Sequence, residues 1–184
     1  MLRIQYADYE ALRAHGEETY PNECCGVLLG KNISGESDTA AAVDSAAADS
    51  AAATNSAAAI NKVQQIVRAG NTRTDSAHNR YNIAPQELVK IQRQARGLGL
   101  DIVGFYHSHP DHPAQWSTTD FAEAHWLGCS YIITSIEHGK AATTNSFLLR
   151  GTREDDKNFE DEPIQIDIPA NLAATAAQNQ KGSA

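Results

Sequence analysis

YHSHPDHPAQWSTTD, Tyr106 to Asp120, places two histidines two positions apart and follows them at short range with a serine and an aspartate. Along a strand, residues i and i+2 project from the same face. His107 and His109 therefore point one way and Ser108 the other. Ser117-Thr-Thr-Asp120 has the form of a capping box that opens a helix, which puts Asp120 in the first helical turn. A turn containing Pro110 and Pro113 joins the two elements and can fold the helix back toward the strand. Two imidazoles and a carboxylate brought together this way would make a three-ligand site with a fourth position open, the layout of a catalytic zinc. The same letters also fit a polar strand end running into a capped helix, and the pattern alone leaves both readings standing.

Upstream, Asp101-Ile-Val-Gly-Phe-Tyr106 is the strand that delivers the chain into His107. Before it, Pro85 suits the first turn of a helix. Leu88, Ile91, Ala95 and Leu98 recur at helical spacing on one face of that helix, and Gly97 and Gly99 end it. Residues 3–6 form a short strand. Asp8 can cap a helix running to about Thr19, and Pro21 stops it. Cys25 to Gly30 is a short apolar run bounded by glycines, a buried strand. Val63–Arg68 and Arg80–Ile83 are further strand candidates. Downstream, a helix runs from Ser117 to about Leu127, and strands follow at Tyr131–Ile136, Ser146–Leu149 and Pro163–Ile168. Strands outnumber helices without strict alternation, which predicts an α+β fold of mixed α/β layers.

At 184 residues the chain is long enough for one domain with a real core. The expected organisation is a single domain over residues 1–169. An Ala/Ser-rich insertion interrupts it at about 34–60, and a loose tail follows at 170–184. Four Ala-Ala-Ala triplets begin at Ala40, Ala46, Ala51 and Ala57, and Val43 is the only larger aliphatic residue among them, so little core can form there.

The net charge of −8 offers no basic stripe for nucleic acid or anionic membrane. No apolar stretch reaches the ~18 residues a membrane span needs, and the first residues lack a secretory pattern. The three cysteines, two of them adjacent, read as reduced thiols in a cytoplasmic protein rather than a disulfide framework. Among the remaining histidines, His112 reads as a turn residue, His125 as a helix-face residue, and His15, His78 and His138 as surface. Trp116 and Trp126 read as packing residues.

The full spacing is more specific than the pair. His107-x-His109, seven residues, Ser117, two residues, Asp120, with Ser108 and Pro110 completing the Ser-His-Pro context, resembles the signature of the JAMM (MPN-plus, JAB-domain) zinc metalloproteases. Pro21-Asn-Glu23-Cys-Cys-Gly26-Val-Leu-Leu-Gly30 is similar to the early segment that carries the family's glutamate. The resemblance covers roughly residues 1–150 and is nearest to compact bacterial CysO-cysteine-peptidase-like members. The Ala-rich insertion departs from their compact pattern.

The resemblance implies an MPN/JAB-type, cytidine-deaminase-like core, a central mixed sheet flanked by helices. It implies one Zn²⁺ held by His107, His109 and Asp120. It further implies that Glu23 takes a proton from the attacking water and hands it to the leaving amine, and that Ser117 donates to the oxyanion. The implied partner is a ubiquitin-like or sulfur-carrier protein with a C-terminal Gly-Gly tail. Two other functions compete: a non-catalytic scaffold of the same fold, and a zinc hydrolase of short peptides. A Cys–His nucleophile is conceivable from Cys24 and Cys25 beside Glu23, though the tight His/His/Ser/Asp spacing favours the metal. A zinc deaminase is disfavoured by the lack of its His-x-Glu paired with Pro-Cys-x-x-Cys.

Overall fold

A computed structural model describes residues 1–33, 59–73 and 76–172. Nearly all of the Ala-rich insertion, and the tail from residue 173, lie outside the described residues.

Among the described residues, eight strands form one mixed sheet. They are β1 Leu2–Gln5, β2 Cys25–Ile33, β3 Ile60–Ala69, β4 Asp101–Pro110, β5 Ser130–Glu137, β6 Lys140–Arg150, β7 Asn158–Glu162 and β8 Ile164–Asp167. Their order across the sheet is β7-β6-β5-β4-β2-β3-β1-β8. β4 runs parallel to β5, and β1 runs parallel to β3 and β8; the other neighbours are antiparallel. The helices are α1 Tyr6–Thr19, α2 Pro85–Gly97 and α3 Thr118–Glu123. This is the mixed α/β architecture expected.

β4 lies deep in the sheet between β2 and β5, and Val103 through Pro110 are all buried. Its alternation splits the core in two. Phe105 joins Val27, Leu29, Tyr131 and Leu149 in a cluster covered by Ile91 and Ala95 of α2. Tyr106 joins Leu28, Ile132 and Ile4 in a second cluster covered by Leu12 of α1. The two helices thus sheathe opposite faces, and each fully buried aliphatic side chain contributes about 1.5–3 kcal/mol.

The α1 layer sits unusually close. A Cβ on Gly16 would lie 2.7 Å from Ile136 Cδ1 and 3.2 Å from Ser108 Cβ, so this helix position admits only glycine without repacking. His15, expected at the surface, is instead buried at 8% exposure, with Nδ1 3.0 Å from the Tyr106 hydroxyl. The Tyr106 ring in turn covers Gly26 of β2, its partner in register.

Other local expectations are corrected. The N-cap of α1 is Gln5, not Asp8, which lies inside the first turn. Arg80–Ile83 makes only a single bridge, Asn71 to Ile83, rather than a strand. Leu98 is 55% exposed because α2 ends one residue earlier. α3 stops at Glu123, short of Leu127.

A Cβ at Gly26 would fall 2.2 Å from Tyr106 Cε1, inside the ring's own volume. Gly26→Ala is therefore expected to destabilise the protein by about 1–3 kcal/mol or more through overpacking. Urea unfolding checks this, and an unchanged midpoint would show that the ring leaves Gly26 without cost.

Candidate metal centre

β4 does not end at Tyr106 but continues through Pro110, pairing His107 with Ile133 and His109 with Ser135 of β5. The two imidazoles therefore inherit the strand's two-residue period and share the α2 face. Ser108 points the other way, and its Oγ accepts the backbone N–H of Cys24 at 2.9 Å. His107 is 2% exposed and His109 9%.

The aspartate arrives by the capping box. Ser117 Oγ accepts the N–H of Asp120 at 3.1 Å, and Asp120 Oδ2 accepts both the N–H and the hydroxyl of Ser117 at 2.6 Å. These bonds satisfy orphan donors of α3 and fix the carboxylate. Asp120 Oδ1 then lies 3.4 Å from His107 Nε2, and Oδ2 lies 3.5 Å from His109 Nε2. The two Nε2 atoms are 3.0 Å apart. One ligand atom from each of His107, His109 and Asp120 falls within 4.8 Å of the others, close enough to hold one metal ion.

The donor chemistry suits such an ion. His109 Nδ1 faces the carbonyl of Pro113 at 2.9 Å. A carbonyl only accepts, so Nδ1 carries the proton, and in the neutral ring the Nε2 lone pair is left facing the cluster. A backbone carbonyl behind a ligating imidazole is a usual orienting device. Burial alone would push the Asp120 carboxyl up. The two imidazoles and the Ser117 hydroxyl outweigh it and hold the group well below the usual carboxylate range. Burial lowers His107. For His109, burial also acts downward, but Asp120 and the Pro113 carbonyl overcome it and leave this imidazole raised.

Glu23 precedes β2. Its N–H donates to the carbonyl of Ala77 at 2.7 Å, and its own carbonyl accepts from Asn71 Nδ2 at 3.3 Å. Its side chain lines a cavity of about 420 Å³ together with His109, Ser117, Trp116, Arg80 and Asn79. The residue is 5% exposed, and burial raises its carboxyl to about 8, with His109 opposing and Asp120 reinforcing the shift. All five residues singled out in the sequence therefore converge on one place: three as a tight cluster, and Glu23 and Ser117 on the wall of the adjoining cavity.

Trp116, read as a packing residue, does two things. Its ring meets Phe121 and Phe159, and at 40% exposure it also lines the cavity. His112 borders the same cavity, whereas His125 sits beyond α3 against Glu154 at 3.2 Å. The cysteines are free and buried. Burial pushes the Cys24 thiol up to about 11, which leaves no thiolate for a Cys–His nucleophile at neutral pH. Arg80 and Tyr81 carried no local signal of a site role. Their approach depends on a chain connection that only the tertiary structure shows.

Residues 7–150 match the family described as prokaryotic homologs of the JAB domain. The chain belongs to that family. The desampylase of Haloferax volcanii is 44% identical over 55 residues, a stretch that spans 30% of this chain and 40% of that protein. Two solution structures share the JAB-type architecture. One, of a Desulfitobacterium hafniense protein, superposes with a TM-score of 0.66 at 24% identity, covering 92% of this chain and 94% of that one. The other, from Salinibacter ruber, gives 0.57 at 29% identity, covering 91% and 93%. Among the described residues of this JAB domain, no helix is long and apolar enough to cross a membrane.

The raised Glu23 carboxyl has a consequence for stability. Its folded value of about 8 exceeds the ordinary 4.5, so its stabilising contribution is complete below about pH 4.5 and is lost as pH rises toward 8. In chelator-treated protein, Glu23→Gln is expected to be the more stable form at pH 8 by an amount on the order of a few kcal/mol, with the difference vanishing near pH 4.5. Paired urea titrations across that range measure it, and a pH-independent difference would contradict the burial of the charge.

Proposed function

We propose that this JAB domain is a zinc-dependent peptidase or isopeptidase that hydrolyses the bond after the C-terminal glycines of a ubiquitin-like or sulfur-carrier protein. The observation that carries this reading is the convergence of His107, His109 and Asp120 within 4.8 Å beside a cavity whose wall includes a buried carboxyl, Glu23. The likeness to a desampylase supports a ubiquitin-like substrate.

His107, His109 and Asp120 would hold the ion. Bound there, zinc would supply Lewis acidity toward the scissile carbonyl and the attacking water. The remaining work belongs to side chains of the chain. Glu23 accepts the water's proton and returns it to the leaving amine, as general base and then general acid. Its carboxyl is high when alone, and a nearby cation favours the charged form and draws it toward the working range of a base. Ser117 turns its hydroxyl from Asp120 to the developing oxyanion, while its backbone N–H keeps the cap. Burial of the histidines excludes competing water. An extended Gly-Gly tail suits such a site, because glycine lets a backbone approach closely where side chains would not fit. On this reading residues 1–169 form one catalytic domain that works in the cytoplasm, with the 34–60 insertion and the 170–184 tail as appendages.

The deciding assay offers two substrates to the metal-loaded protein: a ubiquitin-like or sulfur-carrier fusion joined through Gly-Gly, and short acyl-peptides. Cleavage of the fusion alone is expected. Turnover of the peptides alone would make the protein a short-peptide hydrolase. Absence of both retained zinc and turnover would make it a scaffold.

Glu23→Gln is expected to retain about one equivalent of zinc after dialysis while turnover falls by about 10²–10⁴-fold. Metal analysis alongside the fusion assay checks both halves. Full activity in the variant would remove Glu23 from proton transfer.

A further inference from the structure

The two histidines of the cluster are not supported alike. An imidazole that binds a metal is ordinarily oriented by a hydrogen bond to its other nitrogen. His109 has that bond, from Nδ1 to Pro113 O. His107 does not: its Nδ1 is buried with no hydrogen-bond partner among the described residues. Leaving a buried polar atom unpaired costs about 1–3 kcal/mol.

What His107 has instead is a ring. Tyr81 stacks on it, with centroids 4.6 Å apart and planes 27° from parallel. Stacking restricts rotation of the imidazole about its own axis, which is the freedom a hydrogen bond at Nδ1 would otherwise remove. The residues on either side of Tyr81 are pinned. Asn71 Nδ2 donates to the carbonyl of Arg80 at 2.9 Å, and Asn71 Oδ1 accepts the N–H of Asn82 at 3.1 Å. Thr72 Oγ1 donates to the carbonyl of Asn82 at 3.0 Å, and Asn71 bridges to Ile83. The ring is therefore delivered by a segment braced on both sides.

The geometry points to Tyr81 as a positioning residue for His107. Its ring does for this imidazole what the Pro113 carbonyl does for His109, holding the plane that aims Nε2 at the ion. This rests on the metal reading above. The contact is made by the ring face, so phenylalanine preserves it and an aliphatic residue does not.

The test titrates Co²⁺ into metal-free wild type, Tyr81→Phe and Tyr81→Leu, following the d–d absorption and a competing chelator. Tyr81→Leu is expected to bind about 10–100-fold more weakly, the usual effect of losing a ligand's supporting partner, with an altered d–d spectrum. Tyr81→Phe is expected to stay within about 2-fold of wild type. Equal affinity and identical spectra for wild type and Tyr81→Leu would overturn the proposal while leaving the metal site intact. Failure of the wild type itself to bind Co²⁺ would overturn both. A second measurement avoids any question of the variant's folding. In metal-free wild type, the ring protons of His107 should resonate upfield of those of the exposed His78 because of the Tyr81 ring current, and the absence of that shift would also overturn the proposal.

Discussion

The period of two in β4 is the constraint on which the site depends. The strand is paired on both edges, with β2 and with β5, and a slip of one residue against either would exchange its two faces. Phe105 would leave the α2 core and Tyr106 the α1 core. The same slip would turn His107 and His109 away from Asp120. Core packing and ligand geometry are thus enforced by one register. The hydrophobic clusters that stabilise the fold also set which way the two imidazoles face.

Register places two of the three candidate ligands; a local device places the third. α3 is only six residues long and buries none of them fully; Phe121 packs against Trp116 and Phe159, but that contact alone does not aim the Asp120 carboxylate. The Ser117–Asp120 box does so through short bonds made within four residues. Its carboxylate satisfies the helix start with Oδ2 while Oδ1 faces His107. The accumulated negative charge of Asp120 and Glu23 would be costly if both ionised in a dry pocket. The protein divides the burden. Asp120 is held ionised by imidazoles and a hydroxyl, whereas Glu23 is pushed toward its neutral form. Two carboxyls with opposed tendencies, one suited to holding a cation and one to moving a proton, follow from their surroundings rather than from their chemistry.

What the sequence made legible follows the same division. Short-range rules carried the His-x-His face, the Ser-x-x-Asp cap and the apolar stripe of Leu88, Ile91 and Ala95. Glu23 came from its flanking segment rather than from any local rule, because a glutamate before a strand is ordinarily a solvated one. Where the reading failed, tertiary contact overrode local preference. Asn158-Phe-Glu-Asp-Glu162 is too polar to read as a strand, yet it pairs with β6, and Phe159 alone reaches inward to the aromatic cluster. His15 is a helix residue with no apolar signature, and it is buried because Gly16 brings α1 down onto β4. Arg80–Ile83 has strand-like residues, but it pairs with Asn71 and Thr72 through one bridge and a few side-chain bonds instead of a ladder, and the consequence is the position of Tyr81.

That connection between β3 and α2 joins otherwise separate parts of the site. It receives the N–H of Glu23 at Ala77, stacks Tyr81 on His107, and reaches α3 through Arg73 and Glu123, 3.5 Å apart. Glu23 comes from a segment far in the chain from His107 and Asp120, and no two of the three share a strand or helix. A single connection touching Glu23, His107 and the helix that carries Asp120 couples their positions. The coupling has a direction. β4 and the capping box are set by their own hydrogen bonds, while Glu23 lies outside both. Cys24 ties the neighbourhood of Glu23 to Ser108 of β4, whereas the N–H of Glu23 itself is held by Ala77; on the function proposed above, a shift at Ala77 would therefore disturb proton transfer before it disturbed ion binding.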